Sequence, residues 1–355
     1  MFKITNENSI LQLNISDVED VCLKILLTRE TPLEIAKLVV DQLITSEMSG
    51  YSSHGVLRIL EYAECIGQGL ISVSSVPRIQ KIDSSSSIIH GNKSFGAITL
   101  EYAIKELSET LTRKSIAIIG IRKSNHLGRI GHLTSKMAQN GFITIGFVNY
   151  MGGGQNVPIW KGTEGRLCTN PITIGFPKTK SFDPIIIDMS TSNVSEGKIR
   201  KHKIYNQNLE NGALIDQQWN YVNDPKGFYE KTQEVFLAPL GGKNYGYKGY
   251  ALSLATEILA GILTNSGFSQ ENTKNNQGNG GFFIVIKPDI LGTDIGKVLA
   301  DIEDLALYLC ESKSLDDNVF LPGERSQKHY KLSQKNGYLT LSKKLWENLL
   351  LISGG

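Results

Sequence analysis

The chain has 355 residues, of which 40% are hydrophobic and 8% aromatic, so it can bury a large core and is long enough for about two domains. Its 37 basic and 35 acidic residues give a formal net charge of +2 without a dense basic face, which excludes a nucleic-acid-binding role. The longest apolar stretch, residues 249–263, is too short to cross a bilayer, the N-terminus lacks a secretory signal, and the four cysteines are scattered. These features predict a cytoplasmic protein that binds neither a membrane nor nucleic acid.

The N-terminal part of the chain is predicted to be helical. Residues 18–26 place apolar side chains at the i, i+3, i+4 and i+7 spacing of an amphipathic helix. Thr31 and Glu34, with a proline at the first helical position, have the pattern of a capping box that begins a second helix. A third helix is predicted to follow, with Ser52 or Ser53 as its cap.

This third helix carries a set of polar residues spaced by four, His54, Arg58 and Tyr62, among Val, Leu and Ile. Residues four apart lie on nearly the same helix face, so the three are predicted to form one polar stripe. The arginine can hold a carboxylate in a bidentate pair and the histidine can move a proton, which favours a site for a small carboxylate substrate. In the first turn of a helix, the dipole favours the neutral form of the imidazole. The alternative is a stripe that is merely solvated.

The middle of the chain has the pattern of an α/β fold. Residues 115–121 and 142–148 are predicted strands on either side of a helix at 128–140, an order that suggests a βαβ unit with parallel pairing. Two more strands are predicted at 172–176 and 185–189. The remaining predictions are an irregular surface excursion at 200–233, a long helix at 247–265, a mobile polar loop at 269–279, a strand at 282–286 and helical patterning near the C-terminus.

A second histidine, His126, lies between the first of these strands and its helix. Ligands in open α/β sheets bind at the carboxyl ends of strands, so this position favours a functional histidine; a capping or core histidine is the alternative. His132 follows six residues later, without the i, i+4 spacing of a metalloprotease helix and without a Cys/His cluster nearby. We therefore expect no metal site.

Other polar residues lie in turns or at helix starts. Asn170 is in a turn, and Asp188, Met189 and Ser190 follow an Ile-rich strand, where hydroxyl and amide groups suit a phosphate or ribose. Lys248 opens the long helix and can pair with a phosphate or carboxylate. Each feature alone has an ordinary alternative, a turn or a solvated lysine. No GxGxxG follows a strand, so the Rossmann fingerprint is absent.

Taken together, seven segments in consistent order resemble the malate/L-lactate dehydrogenase family that lacks a Rossmann fold and also contains ureidoglycolate, sulfolactate, diketogulonate and cyclic-imine oxidoreductases. These segments begin at Ser53, Ser124, Thr169, Asp188, Pro239, Tyr247 and Pro322. The resemblance implies a homodimer that uses NAD or NADP to interconvert a 2-oxo acid and a 2-hydroxy acid of the malate or lactate type. Family members usually have glycine where this chain has Cys168.

The resemblance also assigns roles to individual residues. His54 and His126 are the acid/base candidates, and Ser53, Arg58 and Tyr62 would bind the substrate. The residues that would bind the cofactor are Asn170, Asp188, Met189, Ser190, Lys248, Pro322, Gly323 and Glu324.

The predicted fold class is α/β, with a non-Rossmann mixed-sheet cofactor domain packed on a largely helical domain. We expect the cofactor-binding domain at residues 115–249 and the helical substrate domain at residues 1–114, completed by 250–355. The alternative functions are reduction of a cyclic imino acid and a non-catalytic role on the same fold.

Overall fold

The computed structural model describes residues 10–152, 154–204, 206–230, 234–270, 278–315 and 319–354. Within these ranges we find no helix whose length and apolar character would allow it to cross a membrane. The cytoplasmic location stays a prediction.

The chain alternates helices and strands throughout. The first half contains β1 (Ile10–Asn14), α1 (Ile15–Leu27), α2 (Leu33–Met48), a 3₁₀ turn (Ser52–His54), α3 (Arg58–Gly67), β2 (Arg78–Lys81), β3 (Ser86–His90), α4 (Gly96–Leu111), β4 (Ile116–Ser124), α5 (Gly131–Gln139), β5 (Ile143–Met151), β6 (Val157–Pro158), β7 (Gly165–Leu167) and β8 (Ile172–Phe176). The second half contains β9 (Ile185–Met189), α6 (Glu196–Ile204), β10 (Leu214–Asp216), β11 (Tyr221–Val222), α7 (Lys226–Glu230), β12 (Val235–Leu237), α8 (Gly242–Tyr245), α9 (Tyr247–Thr256) with a π-helical continuation (Glu257–Ile262), β13 (Gly278–Ile286), α10 (Ile295–Cys310), α11 (Glu324–Asn336), β14 (Tyr338–Ser342) and α12 (Lys343–Ile352). The predicted mixed α/β fold is confirmed.

A helical layer is built from both ends of the chain. Side chains of α1, α2 and α3 share one apolar cluster with β14 and α12, and β1 pairs with β14 in an antiparallel ribbon. The predicted capping box is wrong: α2 begins at Leu33 with Pro32 as its N-cap, and no side chain caps it. Thr31 precedes the N-cap position by one residue. Its hydroxyl is buried without a hydrogen-bond partner among the described residues.

The main sheet has seven strands in the order β2-β3-β4-β13-β5-β8-β9. The pairings show that β3, β4, β5 and β9 run in one direction and that β2, β13 and β8 run in the other. The carboxyl ends of the first group therefore meet the amino ends of the second at one edge. His126 and Asn170 lie in connections at this edge and Asp188 lies near the end of β9, so the fold brings these sequence-predicted residues to one side of the sheet.

The predicted parallel pairing of β4 with β5 is wrong, although the two strands do run in the same direction. β13 lies between them and is antiparallel to both. Its Phe283 and Val285 are fully buried in the same cluster as Ile119 of β4. A strand more than a hundred residues away completes the sheet, which a local βαβ pattern does not reveal.

Helices cover both faces of the sheet. Ile119 and Ile121 pack in a cluster with the buried faces of α4 and α5. Gly120, between them, points to the opposite face, where a Cβ would lie 3.4 Å from Thr264 just after the π-helical segment. Because both faces are buried, the strands read as nearly continuous apolar runs, and the predicted strands at 172–176 and 185–189 are confirmed by β8 and β9.

The described residues between 200 and 230 are folded rather than irregular, contrary to the prediction. β11, β10 and β12 form a small antiparallel sheet with its own apolar cluster, which includes Ile199, Leu214 and Leu237. Its strands are two or three residues long, too short for a periodic signal. Residues 271–277 of the predicted mobile loop lie outside the described residues.

The predicted domain boundaries at residues 114 and 249 stay a prediction. The main sheet itself crosses both positions, since β2 and β3 precede residue 115 and β13 follows residue 249.

Candidate active site

His54 lies in a 3₁₀ turn before α3, so the prediction of one continuous helical stripe is wrong. Gly55 interrupts the helix with an extended backbone (φ −91°, ψ −149°), and only Arg58 and Tyr62 lie on α3. Glu47 of α2 determines this break, because its carboxylate accepts the N–H of Val56 at 3.0 Å. A Cβ at Gly55 would overlap that carboxylate. The sequence reasoning missed Glu47, whose position near the end of a helix carries no local signal.

The structure nevertheless brings the predicted residues together. The rings of His54 and His126 stack with their centroids 5.5 Å apart, and the Tyr62 hydroxyl lies 3.1 Å from Nδ1 of His126. The Ser53 hydroxyl lies 3.0 Å from Nδ1 of His54. Each imidazole therefore has one nitrogen engaged by a hydroxyl, which leaves Nε2 of each ring as the atom for exchanging a proton with a ligand.

Arg58 lies beside this pair and is largely buried. Its Nε donates to the Ser53 carbonyl at 2.7 Å, and its Nη1 pairs with Glu61 at 2.5 Å. The Glu61 side chain is 41% exposed, whereas that of Arg58 is 12% exposed. A ligand carboxylate can therefore approach the guanidinium from the side of the solvent-exposed glutamate.

Both histidines are held in the neutral form. Burial, followed by the charges of Arg58 and Arg129, lowers the pKa of His54 to about 3. Burial and then Arg58 also lower the pKa of His126 well below its usual value. A neutral imidazole can accept a proton, and an anion bound beside Arg58 would offset the cationic field and raise both pKa values.

Asp188, predicted to bind the cofactor, forms contacts with other residues of the protein. Its carboxylate accepts the N–H of Gly131 at 3.1 Å and lies 3.4 Å from Nε of Arg129, a buried pair. Burial raises the pKa of Asp188 despite the arginine. The Arg129 guanidinium also lies 4.1 Å from the centre of the Tyr51 ring. Arg129, which the sequence reasoning missed, thus connects the end of β9 with the turn that carries His54.

The other predicted cofactor residues, at the end of β9 and just before β8, differ in accessibility. Met189 is 40% exposed, and Ser190 donates to the Ser192 carbonyl at 2.8 Å. Asn170 is buried, and its amide nitrogen donates to Glu257 at 2.9 Å. Asn170 therefore holds its loop in position and does not present this donor to a ligand.

The turn at Pro322, Gly323 and Glu324 lies against the edge strand β9. The Pro322 carbonyl accepts the N–H of Ile186 at 3.0 Å, and Glu324 accepts the N–H of Leu321 at 3.0 Å. Gly323 has φ +89°, and a Cβ there would lie within 3.0 Å of the Ile186 side chain. Glycine is required here on both grounds.

Two cavities lie near the histidine pair: His126 lines the smaller one, and Ser53, next to His54 in the chain, lines the larger one. The larger, of about 1580 Å³, is lined by Ser53 at one side and by Pro322 and Gly323 at another, with Arg200, Lys201 and Arg325 among its basic residues. The smaller, of about 590 Å³, is lined by Tyr62 and His126. Glu61 lines both. Lys248 lines neither; it is exposed, with Nζ 5.5 Å from the centre of the Tyr245 ring.

Two further residues of the sequence analysis have structural roles. His132 pairs with Glu101 at 2.9 Å, in contact with neither histidine of the stacked pair. Cys168 is buried, its thiol donates to the Gly154 carbonyl at 2.8 Å, and burial raises its pKa to about 12. Such a thiol stays protonated and unreactive at neutral pH.

Comparisons with known proteins identify the family of this chain. A family model described as malate/L-lactate dehydrogenase matches residues 13–350. The chain is 30% identical to the malate/(S)-sulfolactate dehydrogenase of Methanothermus fervidus over 89% of each chain, and 25% identical to the L-lactate dehydrogenase of Cupriavidus necator over 96% of each. It superimposes on the malate dehydrogenase of Pyrococcus horikoshii with a TM-score of 0.84 and 26% identity, covering 100% of this chain and 98% of that one. The chain belongs to the malate/L-lactate dehydrogenase family.

Proposed function

We propose that this protein is a nicotinamide-dependent dehydrogenase that interconverts a 2-oxo acid and a 2-hydroxy acid. The observation that carries the proposal is the stacked pair of neutral imidazoles, His54 and His126, beside the buried guanidinium of Arg58. Family membership supports the same reaction class. When bound, the nicotinamide supplies or accepts the hydride; the chain's own residues hold the acid and move the proton.

The proton is handled by the imidazoles. In the oxidative direction, Nε2 of a neutral histidine takes the proton of the substrate hydroxyl as general base. In the reductive direction, the same nitrogen returns a proton to the oxygen at C2. The Tyr62 hydroxyl, 3.1 Å from Nδ1 of His126, and the Ser53 hydroxyl, 3.0 Å from Nδ1 of His54, keep the two rings oriented for this transfer.

Arg58 fixes the substrate carboxylate so that C2 faces the imidazoles. The Ser53 carbonyl anchors its Nε, so the guanidinium plane is already oriented before a ligand binds. Pre-orientation of this kind lowers the entropic cost of reaching the reactive geometry. Lysine cannot reproduce the fork, so Arg58→Lys should mainly weaken substrate use.

We assign the cofactor, NAD or NADP, to the larger cavity, which Ser53 lines beside His54. Basic side chains of Arg200, Lys201 and Arg325 line it, and they match the charge of the cofactor phosphates. Pro322 and Gly323 would contact the cofactor there, with Glu324 holding their turn and Met189 and Ser190 available after β9. Asp188 and Asn170 would support these loops from within. The position of Lys248, outside both cavities, adds no support to its predicted role in cofactor binding, which rests on the motif alone.

We also propose a homodimer, because two apolar surfaces lack a cover within the described chain. Of the 16 residues of α10, only Ala306 is buried, and Tyr308 is 74% exposed. Ile258 and Ile262, four residues apart on the π-helical segment, are 46% and 57% exposed. Apolar surfaces of this extent mark protein interfaces. The test is the mass in solution by light scattering, and a monomer at micromolar concentration would contradict the proposal.

The reaction class is tested by the absorbance of NADH and NADPH with a panel of 2-oxo acids and cyclic imino acids. We expect turnover of a 2-oxo acid with at least one cofactor. If only a cyclic imino acid were turned over, the assigned reaction would be reduction of a C=N bond and not of a C=O bond. Cofactor binding without any turnover would favour a non-catalytic role.

A further inference from the structure

Three basic residues lie side by side across the edge of the main sheet. Arg78 of β2 pairs in register with His90 of β3, and His90 pairs in register with Arg122 of β4. We call these three residues the basic row. Directly opposed side chains on neighbouring strands share one face of the sheet and are about 5 Å apart at Cβ, so the two arginines flank His90 on one face.

Nothing in the described part of the chain neutralises this row. No described acidic residue forms an ion pair with Arg78 or Arg122, and Nε of Arg122 donates to the Thr264 carbonyl at 2.5 Å, which leaves its Nη groups available. Burial and the two arginines lower the pKa of His90, whose Nε2 lies 3.0 Å from the Gln80 side chain. The row therefore presents two fixed cations, one on each side of His90, that no described carboxylate neutralises.

The basic row lines the smaller cavity, together with Tyr62 and His126. Lys93 and Lys123 line it too, and Glu61, already paired with Arg58, is the acidic member among its described lining residues. Lys93 and Lys123 have left-handed backbones, with φ +57° and +50°. Backbone strain at non-glycine residues is typical of functional sites.

We propose that this cavity binds a second oxyanion of the substrate, at the end remote from the reacting carbon. The inference rests on the proposed function: Arg58 holds the carboxylate next to C2, and Arg78 and Arg122 bind a carboxylate, sulfonate or phosphate at the far end. The substrate is thus a dianionic 2-oxo or 2-hydroxy acid. Arg78 and Arg122, which neither the motifs nor the resemblance singled out, determine specificity.

The test compares substrates of equal chain length that differ in the remote charge. The wild-type kcat/KM for 2-oxoglutarate should exceed that for 2-oxopentanoate by about 10- to 100-fold, the effect of charge-assisted hydrogen bonds to one anion. Sulfopyruvate and phosphohydroxypyruvate present the sulfonate and the phosphate, and the highest kcat/KM identifies the oxyanion. Arg78→Gln and Arg122→Gln should each lower the dianion-to-monoanion ratio about tenfold. Arg113→Gln, which removes one exposed charge outside both cavities, is the matched control.

A wild-type ratio near one, or a ratio unchanged in Arg78→Gln, would overturn the inference. Calorimetric binding of glutarate, which needs no turnover, separates this failure from failure of the proposed function. Suppose that no 2-oxo acid is turned over but glutarate binds the wild type at least tenfold more tightly than it binds Arg78→Gln. This result would support the anion site and contradict the proposed reaction class. Equal binding of glutarate to the two proteins would overturn the anion site whatever the activity.

Discussion

Glu47 is predicted to hold the turn that carries His54, and Glu47→Ala tests this role. The carboxylate accepts the N–H of Val56 at 3.0 Å, and the Ser52 side chain lies close enough to lower its pKa, so Glu47 interacts with the chain on each side of His54. A hydrogen bond to a charged group contributes about 1.5–3 kcal/mol. Because Glu47 is half-buried, water replaces part of the loss, so we expect the free energy of unfolding to fall by about 2 kcal/mol.

The same variant should lower activity more than this loss of stability would suggest. The turn positions the imidazole of His54 and the carbonyl that anchors Arg58. A displacement of about 1 Å at such a position costs up to about 100-fold in rate, so we expect kcat/KM to fall about 10- to 100-fold. Glu47→Gln keeps an acceptor oxygen for Val56 and should recover most of both quantities.

Urea denaturation and steady-state kinetics measure the two effects. Glu34→Ala, on the same helix but with an 83% exposed side chain, is the control and should change stability by less than about 0.5 kcal/mol. If Glu47→Ala matched the control in both stability and kcat/KM, the assignment of Glu47 as a positioning residue would be refuted.

Two further predictions concern the same region. Gly197→Ala should lower kcat/KM and the melting temperature, because a Cβ would overlap that of Ser53; Gly67→Ala, with open space around it, should do neither. The unfolded chain binds protons at both histidines below pH 6.5, whereas burial keeps the folded-state pKa of His54 near 3 and that of His126 well below 6.5. The free energy of unfolding should therefore fall as the pH drops below 6.5, by up to about 1.4 kcal/mol per pH unit for each histidine. Urea denaturation should show that the free energy of unfolding falls less steeply with decreasing pH when both histidines are replaced by glutamine. Equal slopes for the wild type and this variant would contradict the burial of neutral imidazoles.

The sequence was sufficient for features that depend on local pattern. The strands β8 and β9 are short apolar runs bounded by turn residues, so their limits agree with the prediction. His126 follows a strand, so its position at the carboxyl end of that strand could be predicted from the sequence. In the structure it lies beside His54 and Tyr62.

Features that depend on distant contacts could not be predicted. β13 enters between β4 and β5 because its Phe283 and Val285 complete their core, a fit visible only in three dimensions. The interruption of the helix at Gly55 could not be predicted either, because it depends on the carboxylate of Glu47 in α2. The basic row escaped attention because Arg78, His90 and Arg122 become neighbours only through strand pairing.

We propose that the histidine pair transfers the proton during oxidoreduction at C2 of a hydroxy acid. The most direct measurement is the turnover number of the wild type, His54→Ala and His126→Ala with the preferred 2-oxo acid, with cofactor affinity measured in parallel. We expect kcat to fall by about 10²- to 10⁴-fold in each variant while the cofactor still binds, the usual contribution of a positioned acid or base. Wild-type turnover in both variants would contradict the assignment of proton transfer to these imidazoles.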